Sequence, residues 1–129
     1  MHRGSVVVAV LLAAGSACTH GRGTAAPTNG SPQAAQRVRV HVSNHYKTEM
    51  DVSATGSGTT QRLGLVAAGL EREFDLPRVI VVAGAVTFTA HPSGYGPIVR
   101  SEELRIRPGD VVDFEIATNL IGSQAWVRP

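Results

Sequence analysis

The sequence predicts an all-β protein: a single small antiparallel β-sandwich of seven or eight strands, placed after a signal helix and a disordered linker. Three observations point there. Apolar and polar residues alternate with period two in run after run of the C-terminal part of the chain. Clusters of glycine and proline separate those runs at intervals that suit short strands. No window of ten or more residues in this part carries an apolar stripe of helical period. At 129 residues there is room for one domain of this kind and not for two.

The elements follow in chain order. His2 and Arg3, with the terminal amine, form a short positive leader, and Val6 to Ala14 is an unbroken run of nine apolar residues. Nine residues of helix rise about 14 Å, less than half of a hydrocarbon core of roughly 30 Å. The run is too short to span a bilayer and has the size of the apolar region of a secretory signal. Gly15-Ser16-Ala17 and then Cys18 come next. This segment resembles the lipobox of bacterial lipoproteins, in which a leucine-like residue and two small residues precede an invariant cysteine. Gly15 stands where that family usually carries an aliphatic residue. The resemblance implies that residues 1–17 are a removed signal peptide and that the Cys18 thiol carries a diacylglyceryl group. It also implies a protein held at a cell-envelope membrane by its acyl chains. By the same resemblance, Thr19 after the cysteine, instead of aspartate, implies the outer membrane, on its periplasmic side, in a cell that has one. Gly15 and Ala17 equally suit ordinary signal cleavage, which would leave a secreted protein with a free Cys18. Cys18 is the sole cysteine of the sequence, which excludes an internal disulfide and a thiolate metal cluster. A lone exposed thiol is a liability in an oxidising compartment, and acylation removes it.

Residues 18–36 form the expected lipidated N-terminus and flexible linker. Gly21, Gly23, Thr24, Pro27, Thr28, Asn29, Gly30, Ser31 and Pro32 leave no apolar period and little charge. Such a composition buries too little surface to offset its ordering entropy. Eighteen residues of it reach roughly 23 Å as a random coil, enough to hold a domain clear of lipid headgroups.

Residues 37–129 form the expected sandwich. Val38, Val40 and Val42 alternate with Arg37, Arg39, His41 and Ser43, and Met50 to Ala54 repeats the pattern. In Leu70 to Leu76 the acids Glu71, Glu73 and Asp75 share one face, opposite Leu70, Phe74 and Leu76. Val86 to His91, Leu104 to Arg107 and Val112 to Ile116 alternate again. The architecture is similar to immunoglobulin-like domains, without their hallmark cysteines; an open Greek-key barrel is the alternative. If Leu104–Arg107 and Val111–Ile116 form a hairpin, a three-residue loop puts Ile106 opposite Val112, Leu104 opposite Phe114 and Arg105 opposite Asp113. That register lapses if the two strands belong to different sheets. Gly69, Phe74 and Leu76 recur as Gly109, Phe114 and Ile116 at the same offsets, which two strand-turn-strand units explain. Arg62-Leu63-Gly64, with Val66 and Gly69, is loosely similar to a pattern of small secreted bacterial β-domains. Were Arg37 to Ser43 an edge strand, its basic residues would discourage pairing with other chains.

The chemistry-bearing residues are few. Twelve basic side chains face ten acidic ones, and loss of Arg3 with the leader narrows the excess to one, a net charge that gives no electrostatic case for nucleic acid or an anionic surface as a partner. His41 and His45 lie about 13 Å apart on a strand, too far to share a metal ion. No Gly-x-Ser-x-Gly elbow is present, and Gly56-Ser57-Gly58 lacks the lysine and helix of a phosphate loop. Glu71, Glu73, Asp75, Asp113 and Glu115 fall at outward strand positions rather than in a cleft. Phe74, Phe88 and Phe114 fall at inward positions. Trp126 near the C-terminus and Tyr95 in a Gly/Pro-rich loop are the residues that suit a recognition patch. The expectation is therefore a non-catalytic, lipid-anchored envelope domain with a structural or protein-interaction role and no cofactor. An envelope glycan- or peptide-binding module centred on Trp126 and Tyr95 is the alternative.

Overall fold

Alternation in the sequence becomes alternation in burial. The structure, a computed structural model, describes residues 34–129. Nine strands and one short helix follow each other as β1 (Arg39–Asn44), β2 (Met50–Gly56), β3 (Thr59–Val66), β4 (Glu71–Asp75), α1 (Arg78–Ala83), β5 (Ala85–Pro92), β6 (Val99–Arg100), β7 (Leu104–Arg105), β8 (Val111–Ile116) and β9 (Gln124–Val127). The signal segment, Cys18 and nearly all of the linker expected over residues 18–36 lie outside the described residues. Ala34–Gln36 form a 3-10 turn that leads into the body.

The strands make two sheets packed face to face, a small all-β sandwich. One sheet has the order β4-β1-β8-β9; the other has the order β3-β2-β5-β6, with β7 also pairing β5. Val40 and Val42 of β1, Met50, Val52 and Ala54 of β2, Val86, Phe88 and Ala90 of β5, and Val112, Phe114 and Ile116 of β8 form the core between them. Phe88 and Phe114, one from each sheet, stack with ring centroids 5.6 Å apart. The strand count passes eight because β6 and β7 are two-residue pieces along one edge.

The structure decides three points that the sequence left conditional or read differently. First, β7 pairs β5, with Leu104 opposite Val86 and Arg105 opposite Ala85, while β8 lies in the other sheet. The Leu104–Ile116 hairpin is thus replaced by a turn that carries the chain between sheets. In that turn the Asp110 N–H donates to the Arg107 carbonyl at 3.1 Å, and the Asp110 carboxylate accepts from the Arg107 N–H at 2.7 Å. Ile106 reaches the core either way, so burial alone did not discriminate between the two arrangements. Second, β1 is central and not an edge: it pairs β4 antiparallel and β8 parallel. Third, Leu70 is 59 % exposed, and Arg72, across from Val42 in the register, is exposed as well. Arg72 lies over the Phe74 ring at 5.1 Å and donates from Nη1 to the Leu65 carbonyl at 2.9 Å, closing the edge between β4 and β3.

The Arg62-Leu63-Gly64 motif is structural. Val52 pairs Gly64 and Ser53 pairs Arg62, so Leu63 is the extra residue of a β-bulge. Gly64 has φ +152°, and a Cβ there would lie 2.9 Å from Cε1 of Phe74. The ring therefore needs a bare backbone beneath it. Arg62 Nε donates to both oxygens of Asp51, at 2.8 and 2.9 Å. The Gly69 and Gly109 echoes lead into the strands on either side of β1, with Phe74 opposite Val40 and Phe114 opposite Val42.

The two ends of the sandwich are built differently. At one end β1 begins, β2 turns into β3, and α1 joins β4 to β5. Pro77 starts α1, with its carbonyl accepting from Ile80 and Val81, and Gly84 ends it in the left-handed conformation. Ile80 is fully buried, and a Cβ at Gly56 would lie 3.1 Å from Ile80 Cγ2 and 2.9 Å from the Ala85 carbonyl oxygen. At the other end Asn44 is fully buried. Its Nδ2 donates to the carbonyls of Thr48 and Val66 at 2.9 Å, and its Oδ1 accepts from the Tyr46 N–H at 3.0 Å. Its backbone N–H donates to Leu70 and its carbonyl accepts from Gly69. One side chain ties the β1–β2 and β3–β4 connections together.

Candidate functional site

Two regions gather chemistry-bearing groups: the outer face of the β4-β1-β8-β9 sheet, and a hollow where the chain enters the body. On the outer face, strand register sets His41 beside Glu73 on one side and Asp113 on the other, with Trp126 beyond Asp113. His41 Nδ1 lies 3.4 Å from Asp113, and Nε2 lies 3.3 Å from Glu71. Arg39 meets Glu73 at 3.5 Å and Arg37 meets Asp75 at 3.4 Å. Asp113 is the least exposed of these acids, with 15 % of its side chain accessible. Arg128 grips it in bidentate fashion, Nη2 to Oδ1 at 2.6 Å and Nε to Oδ2 at 2.9 Å. These hydrogen bonds hold the Asp113 carboxyl below the usual carboxylate range; burial opposes that shift, and the nearby charges of Arg128 and His41 add to it.

Chemically this face is a ladder of answered charges. A neutral imidazole donates from one nitrogen only, whereas the protonated ring satisfies both flanking carboxylates. His41 thus stands between the Glu71 carboxylate of β4 and the Asp113 carboxylate of β8. Its neighbours stand on a sheet face, not in a cleft, so nothing there screens a reacting group from water.

The hollow adjoins this face. A cavity of about 360 Å³ lies between α1, the end of β4 and the entering segment, with Leu76, Val81, Val82 and Pro108 as its apolar wall and Arg37 and Arg78 at its rim. A second, more polar recess of about 510 Å³ shares Arg37 and Asp75 with it and reaches Ala35 and Gly109. Val79 and Val82 of α1 are 50 % and 77 % exposed. The sequence reading placed no residue of α1 at a site. The signal was present, in an apolar run without alternation, Val79 to Ala83, bracketed by Pro77 and Gly84.

The residues expected to form a recognition patch are not brought together. Trp126 lies on the outer face of β9, paired with Asp113 and 36 % exposed. Tyr95 stands fully exposed in the loop between β5 and β6, at the far end of the other sheet. His41 and His91 sit on outer faces of different sheets, and His45 follows β1 at the far end. Among the described residues, no group of three or more histidine, cysteine, aspartate or glutamate side chains has metal-binding geometry. Cys18 lies outside the described residues.

These features define a small all-β sandwich with a charged sheet face. No protein-family model matches the chain, and no curated protein matches it. Among solved structures, a protein from Eubacterium rectale determined by NMR is similar over 76 % of this chain and 94 % of its own, with TM-score 0.48 and 14 % identity.

Proposed function

We propose that the chain is an exported lipoprotein whose β-sandwich serves the cell envelope as a non-catalytic structural or protein-interaction module. The observation that carries this reading is the N-terminal order of features: a positive leader, nine apolar residues, three small residues and the sole cysteine, Cys18. The body supports it, because the acids of its most charged face are largely engaged in ion pairs, with Arg37, Arg39, His41 and Arg128 as their partners. Its partners are the membrane, through acyl chains on Cys18, and an envelope protein. A glycan- or peptide-binding role is the second reading, favoured by the full exposure of Tyr95 at a loop tip.

Intact mass of the membrane-extracted protein tests the proposal. The expected product begins at Cys18 and carries the mass of a diacylglyceryl group. A chain that begins at Met1, or a cleaved chain with a free thiol, overturns the lipoprotein reading. Tryptophan emission during titration with envelope glycans and peptides tests the second reading through Trp126, and emission that stays constant throughout removes a ligand site at that residue.

A further inference from the structure

We infer that the α1 end of the domain rests on the headgroup surface of an anionic phospholipid bilayer, an inference that depends on Cys18 being the acylated anchor. The covalent path from the anchor enters the body at the α1 end. Sixteen residue steps separate Cys18 from Ala34, a span of about 55 Å fully extended and about 22 Å as a coil. Ala34–Gln36 join the body at the α1 end, beside the cavity under α1. The strands of six to eight residues raise the opposite end by about 20 Å more.

The chemistry of this end fits that surface. Val79 and Val82 are three positions apart on α1, share one helix face and are both exposed. Val82 continues into the apolar wall formed by Leu76, Val81 and Pro108. Arg78 opens α1, and Arg105 and Arg107 flank Ile106, whose N–H donates to the Gly84 carbonyl at the end of α1; all three arginines are exposed and, among the described residues, without an ion-pair partner. Among the acids of this end, Asp75 is paired by Arg37 and Glu73 by Arg39, and the Asp110 carboxylate accepts from the Arg107 N–H, while Glu102 and Glu103, just before β7, are exposed. Exposed aliphatic side chains and free arginines at one end suit the boundary between headgroups and acyl chains of an anionic leaflet. Two valines are too few to hold a free protein there. A tethered domain needs only a weak contact, because the anchor keeps its local concentration high.

The test uses the mature, acylated protein in vesicles. Val82→Cys is labelled with an environment-sensitive fluorophore, and Ile121→Cys, in the loop between β8 and β9 at the far end, serves as the comparison. With headgroup-nitroxide lipid in phosphatidylglycerol-rich vesicles, the label at 82 is expected to lose most of its emission and the label at 121 to keep it. Phosphatidylcholine vesicles, or Arg78→Glu in the Val82→Cys background, are expected to restore emission at 82. Equal quenching at both ends, or quenching at 82 that ignores lipid charge, overturns the inference while acyl mass on Cys18 leaves the lipoprotein reading standing. Absence of acyl mass overturns both.

Discussion

The two ends of this sandwich solve one problem with opposite chemistry. Each must join strands of different sheets without leaving backbone groups stranded. The α1 end does so with an apolar plug, Ile80, seated over Gly56 and part of the core, within a short helix whose turns are closed by hydrogen bonds to Pro77 and Val81. The far end does so with a polar pin, Asn44, whose amide supplies partners to four backbone groups, the carbonyls of Thr48, Val66 and Ala67 and the Tyr46 N–H. An apolar plug tolerates substitution in proportion to lost volume. A polar pin fails as a unit, because it abandons several partners at once, the buried Val66 carbonyl and part-buried groups of the neighbouring loops.

Removing the pin is the larger perturbation. Asn44→Leu keeps the side-chain volume but leaves the Thr48 and Val66 carbonyls and the Tyr46 N–H without their partner. At about 1–3 kcal/mol per stranded group, the expected loss is about 4 kcal/mol in urea unfolding. Ile80→Ala at the other end leaves the backbone hydrogen bonds intact and opens a cavity, for an expected loss of about 3 kcal/mol. The two variants also differ in where they loosen the molecule. Amide exchange is expected to accelerate across residues 45–49 and 66–70 in Asn44→Leu, and across residues 77–86 in Ile80→Ala. If Asn44→Leu proves the milder of the two, waters or loop shifts have replaced the amide and the far end is not pinned by one side chain.

This asymmetry also explains what the sequence made legible. The strands β1, β2, β5 and β8 were readable because each lies in the middle of a sheet with one face in the core, so period two survives to the last residue. Asn44 was legible in principle: it continues the series Val38, Val40, Val42 and falls on the inward face. It was overlooked because an inward asparagine reads as the end of an apolar run. By contrast, β3 was hidden, because its first half lies outside the core and the bulge at Leu63 resets the alternation. The helix α1 was hidden by its six-residue length, less than two turns. Partner choice was not legible at all. The alternation of Leu104 and Ile106 suits pairing with β5 as well as with β8, and in the structure β7 pairs β5 while the Arg107–Asp110 turn carries the chain to the other sheet. The outward acids were readable one by one, yet the ladder they form with His41 and Arg128 depends on the parallel pairing of β1 with β8 and on β9 beside it.

The smallest expected effect separates the charged face from both ends. Asp113 has its carboxyl held below the ordinary range, first by the hydrogen bonds from Arg128. A depressed folded-state value means that the carboxylate contributes stability above the unfolded value of about 3.9, and that this contribution fades as pH falls through the folded value. Arg128→Ala is therefore expected to be less stable than the parent at pH 6 and indistinguishable from it in strong acid, where Asp113 is protonated in both. The guanidinium is exposed and screened by solvent, so the difference at pH 6 stays well below those of Asn44→Leu and Ile80→Ala and shrinks further in high salt. Unfolding midpoints of the two proteins from pH 2 to pH 7 make the check. A gap that persists unchanged at the acid limit would mean that Arg128 acts by packing along β9 and not through the Asp113 charge.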